Sequence, residues 1–544
     1  MNPQPLRRWL WSAAVVLLAA CSNETKPPPT PPPTPNPTPG FSLTLSTDKT
    51  PILQGGSATV TATVTRETGF DGAVDLALSG LPTGVSAPPG SVASGATSAT
   101  LTLNAAATAP HSLPTTVTVT GTSGDKTASQ SLTVTVRGPP GSLDTSLGSG
   151  PVITPVGAGE DYAEGITVQP DGKILLVGRT ATPQGTTFAV VRYARDGTLD
   201  TGFGSGGKVS TAVGTPNSQA FAVALQGDGK ILVAGTADGG ASGIAFALVR
   251  YNADGSLDTG FGNGGKVTTA FGNGADSAYA LVLQADGKIL VGGDTDAGAT
   301  GLDFALARYN ADGSLDTGFG TGGKVTTSIK SGAGRDTLFS LALQTVGGEA
   351  RIVAAGGDGD FILARYTPAG ALDTGFGTGG KINGLFSSSI GSARAVAVTS
   401  EGKLVVAGHF SHDFALARLS DTGALDTSFG TGGKVVTALS TTNFDEAAAL
   451  ALQADGKLVV GGWMYTGSSS SGDFALVRYE ATGALDTGFG SGGKVVTPIA
   501  PGTKDDTAHA VALQTDERVP VVRILLAGSA SDSNHDFALA RYWP

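Results

Sequence analysis

Gly202–Lys208 reads GFGSGGK, which has the glycine and lysine spacing of a phosphate-binding loop. Val209 follows, where such a loop needs Ser or Thr to hold magnesium. The string or a one-residue variant starts again at Gly260, Gly318, Gly375 and Gly488, each time running into a strand-like sequence. Without a helix N-terminus no dipole is aimed at phosphate, so nucleotide binding is excluded. Asn252–Asp258 (NADGSLD) has the acidic spacing of a calcium loop, but Asp254 is replaced by Ala369, Thr422 and Thr482 in later copies. Such a drifting ligand set reads as a turn. Two further Asp sets recur: Asp161, Asp276, Asp336, Asp445 and Asp506, then Asp303, Asp360, Asp413, Asp473 and Asp536. Loop capping is the role expected of them.

Four of the five histidines fall late in the chain: His409, His412, His509 and His535. None shows HxH or HxxxH spacing, so no metal site is expected, and no cofactor is implied. No Ser/His/Asp or Cys/His set can be assembled. The candidate binding residues are Trp463, Tyr465, His412 and His535, because exposed aromatics on variable loops suit sugar stacking or a protein contact.

These motifs repeat because the chain repeats. The Phe of an FAL-like run stands at 188, 246, 304, 361, 414, 474 and 537, in steps of 53 to 63 residues. Each period predicts four short strands. In the third copy, Ala278–Gln284 is followed by a DG turn, then Lys288–Gly292, Phe304–Tyr309, an NADG turn, and a last strand carried by Leu315–Thr327. No stretch after Cys21 has the periodicity of a helix. Four strands per period that cannot bury both faces alone predict an all-β chain whose residues 141–544 form a seven-bladed β-propeller. The tight turns share one face, so the variable connections share the other. Polar residues mostly follow the repeat, which favours a scaffold over an enzyme.

The region starts and ends inside a unit. Leu143–Asp144–Thr145 belongs to a fourth strand, and Phe537–Tyr542 is a third strand with none after it. In six copies an Arg precedes the LDT Asp by eight residues, as in Arg308 and Asp316. Asp144 and Arg541 lack such partners and are expected to pair, with Val152–Thr154 as the outer strand of the last blade. An exposed pair of this kind contributes about 0.2–1 kcal/mol.

Upstream, residues 1–20 read as a signal peptide with Arg7, Arg8 and an apolar run from Trp9 to Leu18. Residues 21–40 form a Pro/Thr-rich tether, and 41–137 alternate with period two, which predicts an Ig-like β-sandwich. Leu18–Cys21 (LAAC) resembles the bacterial lipobox, which implies cleavage before Cys21 and its lipidation. The chain has 1 Cys, so no internal disulfide forms. Gly69–Val85 resembles a motif of Ig-like modules in bacterial surface proteins. LDTxFGxGGKV, DGKILVAG and FALxRY together resemble the delta-60 repeat family of bacterial secreted proteins, which implies a propeller and brings no catalytic residues.

The formal net charge is -11 and no basic run occurs, which argues against nucleic acid as a partner. The expectation is therefore a monomeric, lipid-anchored protein of the bacterial cell envelope, at the outer membrane or surface. Its membrane contact is the anchor at Cys21, and its partner an extracellular protein or glycan bound without catalysis. A polysaccharide-active enzyme and a passive structural component are the alternatives.

Overall fold

A computed structural model describes residues 40–544, apart from 240–242, 273, 297–300, 331–333, 387–390, 441–443, 466–470, 501–504, 517–518 and 532–533. Cys21, the leader and nearly all of the tether lie outside the described residues. Among the described residues there are strands and turns and no helix.

The alternation in ATVTATV becomes a buried row: Val60, Ala62 and Val64 point inward from the strand Ser57–Arg66. They meet Leu101, Leu103, Val117, Val119, Leu132 and Val134 from two facing sheets of four and five strands. The strand Lys49–Leu53 runs parallel to the end of Lys126–Arg137.

Seven sheets follow, six of four strands and one of five, in which Gly214–Thr215 adds a short parallel strand. Their innermost strands are Asp161–Val168, Ser218–Leu225, Asp276–Leu283, Leu338–Val346, Gly391–Val398, Asp445–Leu452 and Thr507–Asp516. We number the sheets 1 to 7 in this order. Each inner strand stands beside the next, and the seventh lies beside the first, so the set closes around a central channel. Sheet 7 takes its outer strand, Val152–Thr154, from the start of the region, paired antiparallel with Phe537–Leu539.

The repeat motifs do packing work between sheets. Phe304 and Phe319 are fully buried, and Tyr309 Oη donates to Thr269 Oγ1 of the preceding sheet at 2.8 Å. Arg308 lies over the ring of Phe319 at 4.5 Å, donates through Nε to Asp316 at 2.7 Å, and reaches the Pro368 carbonyl of the next repeat. The lysine of the GFGSGGK string is a cross-sheet tie: Lys208 Nζ donates to Pro155 O at 2.6 Å, and Lys266 Nζ to Ala212 O at 2.8 Å. Asp254 accepts from Ser256 N and Oγ, which makes NADG an Asp-stapled turn.

The last strand of each unit is shorter than the sequence pattern predicts. In sheet 3 it covers Lys324–Thr327, while Leu315 makes one isolated bridge with Tyr309. Gly322 and Gly323, with φ of 59° and 91°, turn the chain out of the ladder between them.

The linker before the repeats copies a repeat contact. Pro140 O accepts from Gly490 N at 2.9 Å, where Ala369 O accepts from Gly320 N in an ordinary unit. His111 of the sandwich docks on the chain end, with its Nδ1 accepting from Trp543 Nε1 at 3.2 Å and Thr145 N at 3.3 Å.

Candidate functional site at the channel mouth

Every inner strand slips register at the same place, and the seventh slips again between Thr515 and Asp516. The breaks fall between Ala163 and Gly165, Ala220 and Ala222, Ala278 and Ala280, Leu338 and Ser340, Ala393 and Ala395, Ala447 and Ala449, and Ala508 and Ala510. A β-bulge re-aims the extra side chain. The glycine opposite each bulge permits it. A Cβ on Gly293 would stand 1.8 Å from Ser277 O, and one on Gly408 1.9 Å from Ser392 O.

The residues at the seven bulges are Glu164, Phe221, Tyr279, Phe339, Arg394, Ala448 and His509, and all are half-buried, each directly after a buried residue. The repeat is nearly constant around them, yet here it varies from acid to aromatic to base. Non-repeated acids and bases therefore do converge at the channel, contrary to the expectation that polar residues follow the repeat. The signal was present in the sequence as one variable position inside an alanine-rich strand. Its direction was not, because an ordinary period-two count misses a bulge.

Three of the seven form an aromatic arc. Phe221 and Tyr279 have ring centroids 4.9 Å apart, and Tyr279 and Phe339 5.4 Å apart. Arg394 ends the arc, its guanidinium 4.2 Å from the Phe339 centroid. Burial lowers its pKa, opposed by the charges of Glu446 and Glu164, which face it from sheets 6 and 1. Open cavities of about 500, 300 and 410 Å³ follow the arc from sheet 1 to sheet 5.

The other side of the mouth is a polar chain. Glu164 Oε1 accepts from Gln219 Nε2 at 2.9 Å, Gln219 Oε1 accepts from Arg179 Nη1 at 2.6 Å, and Arg179 lies over Tyr162 at 4.3 Å. His509 Nδ1 is 3.6 Å from Glu164, and its ring lies 5.4 Å from that of Trp463.

The four candidate binding residues are spread along this rim. Trp463 lies beside His509. Tyr465 ends the strand Leu458–Tyr465, where its N–H bonds to Phe444 O. His412 sits at φ 73° in the two-residue turn between Phe410 and Asp413, its ring 3.9 Å from that of Phe444. His535 faces sheet 1: it stacks on Tyr162 at 4.8 Å, its Nδ1 is 2.8 Å from Glu160, and its Nε2 3.9 Å from Asp505. Trp463 and Tyr465 thus lie together, and His412 and His535 have neighbours of their own. His409 is buried, and burial with the Arg394 and His412 charges lowers its pKa to about 4. Among the described residues no group of three His, Cys, Asp or Glu side chains is placed to hold a metal.

The Asp that opens the first strand turns back to the backbone. Asp276 Oδ2 accepts from Phe271 N at 2.7 Å, and Asp506 Oδ2 from Ile499 N at 2.8 Å and Ala500 N at 3.0 Å. Both are buried.

Asp294, below the aromatic arc, is 3% exposed, and burial raises its pKa to about 6. A folded-state pKa above the unfolded value of 3.8 gives stability that is complete below about pH 4 and lost as pH rises through 6. The loss amounts to about 3 kcal/mol at most. Asp294→Asn is therefore expected to melt well above the parent at pH 7.5 and to match it at pH 4. A gap in melting temperature independent of pH would contradict this.

Six stretches, 169–203, 226–261, 284–319, 345–376, 399–429 and 453–489, match the sequence model of a family described as "Domain of unknown function (DUF5122) beta-propeller". No curated protein matches the chain. Among solved structures, the tail fiber of Staphylococcus aureus phage P68 is 13% identical at a TM-score of 0.26, with 51% of each chain covered, so this chain spans about half of that one. An endo-arabinase from Bacteroides thetaiotaomicron is 10% identical at 0.26, over 48% of this chain and 92% of its own. A DUF4784 family protein from Bacteroides caccae is 12% identical at 0.27, over 84% and 98%. Likenesses at these scores carry no argument about function. The six matches recur in register with the sheets, and on them the repeat region is a β-propeller repeat region.

Proposed function

We propose that this is a lipid-anchored protein of the bacterial cell envelope, held through Cys21, that displays a seven-bladed propeller of the delta-60 type behind an Ig-like module. Its variable-loop face binds an extracellular glycan without catalysis. The observation that carries this reading is the aromatic arc of Phe221, Tyr279 and Phe339 along open cavities. Aromatic faces held by rigid strands suit the apolar faces of sugar rings, and little side-chain entropy is lost on binding.

The second reading, a polysaccharide-active enzyme, is favoured by one observation. Glu164, His509, Arg394 and Glu446 meet at the channel although the repeat does not dictate them.

A glycan array probed with the full chain tests both. Tyr279→Ala is expected to weaken any glycan hit at least tenfold, and chromatography of that glycan after incubation should show no shortening. Trp463→Ala and Tyr465→Ala tell whether sheet 6 shares the site. Loss of binding only from changes on the tight-turn face would overturn the reading, and shortened glycan would favour the enzyme. Cys21→Ser should move the protein from the membrane fraction to the medium or periplasm; a mutant that stays membrane-bound refutes the anchor.

A further inference from the structure

The end of the aromatic arc has a charge that the glycan reading does not use. Arg394 emerges from the bulge in sheet 5 with its guanidinium over Phe339 at 4.2 Å. Among the described residues no carboxylate lies within ion-pair distance of it. Of the acids whose charge reaches it, Glu446 stands beyond ion-pair distance, and Glu164 and Asp358 have other partners. Glu164 accepts from Gln219 at 2.9 Å and lies 3.6 Å from His509, while Asp358 lies 3.6 Å from Arg335. Arg335 is 68% exposed and free to swing from that loose pair. Arg394, Arg335, Phe339 and His409 line one cavity of about 410 Å³, with Asp358, the partner of Arg335, at its edge.

A guanidinium offers five donors in a planar fork that matches a carboxylate, and it is costly to leave half-buried without an anion. Here the fork ends a row of ring faces that already suits sugars. The protein's net charge of -11 does not decide against an anion. Charges beyond about 8 Å are largely screened at physiological salt, and of the cavity's own charged groups Arg394 and Arg335 outnumber the one carboxylate, Asp358.

Resting on the glycan reading, we propose that the ligand is an acidic glycan, a chain of uronate-type sugars. One ring stacks on Tyr279 and Phe339, and its carboxylate is taken by Arg394 with help from Arg335. A sugar that carries both a ring face and a carboxylate satisfies the whole cavity. A neutral sugar leaves the guanidinium unpaired.

Calorimetry on the full chain with a tetramer of galacturonic acid and a neutral tetramer of galactose tests this. The acidic tetramer is expected to bind at least tenfold tighter. Arg394→Gln should lower its affinity at least tenfold, to about the level of the neutral one, and a thermal melt matching the parent reports that the variant is folded. Arg335→Gln should lower the acidic affinity two- to fivefold. Acetate at the same carboxylate concentration should compete at least tenfold more weakly, since it brings no ring face. Equal affinity for the two tetramers, or a preference that survives Arg394→Gln, overturns the acidic ligand and leaves the glycan reading standing. Binding of neither tetramer, with no hit on the glycan array, overturns both. Acetate competing as well as the tetramer would make this a bare anion site and overturn the proposal.

Discussion

Asp144→Ala is expected to destabilise the protein by about 3–5 kcal/mol. The carboxylate closes the ring of sheets. Its Oδ2 takes Arg541 Nε at 2.7 Å and Arg523 Nε at 2.8 Å, and all three side chains are 0% exposed. Its Oδ1 accepts from Ser146 N at 3.0 Å and Oγ at 2.6 Å. Burial and the neighbouring Arg523 charge push the Arg541 pKa down to about 10, against the pull of Asp144. Removing the anion leaves two guanidinium groups facing each other away from water. Arg541 keeps only Gln514 Oε1 at 3.0 Å, Arg195 O at 2.7 Å and Ser146 Oγ at 3.0 Å. The equivalent Asp200 is 16% exposed and is shared between Arg192 and a half-exposed Lys173. Asp200→Ala should therefore cost only about 1 kcal/mol. Urea unfolding of the two variants side by side decides the matter, and equal losses would refute the special burial of the closing pair. Deleting 141–156 removes Asp144 together with the outer strand Val152–Thr154 and should cost more than either.

Gly408→Ala is expected to cost about 3 kcal/mol and to disturb the channel mouth with it. The new Cβ would meet Ser392 O at 1.9 Å and Ala393 Cα at 3.0 Å. Both are backbone atoms that no rotamer change can move. The inner strand must shift, and Arg394 stands at the bulge between Ala393 and Ala395. Gly432→Ala is the control: it has φ 62° with nothing within 4 Å, so only backbone strain of about 1 kcal/mol applies. Thermal melts should separate the two, and binding of the galacturonate tetramer should weaken in Gly408→Ala alone. A Gly408→Ala protein as stable as the parent would show that the bulge does not depend on the missing side chain.

The sequence by itself determined the class and the period. Alternation, DG turns and seven FAL-like runs are local signals, and local signals survive without knowledge of the fold. The eight-residue spacing of Arg and Asp is local too, so the absence of partners for Asp144 and Arg541 was legible at the two ends. Tertiary structure decided what those ends experience. An isolated spacing cannot reveal that Arg523 and Trp543 cover the pair, with Arg523 4.8 Å from the indole, and so turn a weak surface contact into a buried one. The direction of Glu164, Phe221, Tyr279, Phe339, Arg394 and His509 was also beyond the sequence. One inserted residue reverses the side to which a strand residue points, and whether a strand takes it depends on the backbone opposite. The seven glycines that allow it were visible as the last letter of DGKILVAG and its variants. Their reason, a carbonyl 1.8–2.0 Å from where a Cβ would be, exists only once two strands are paired.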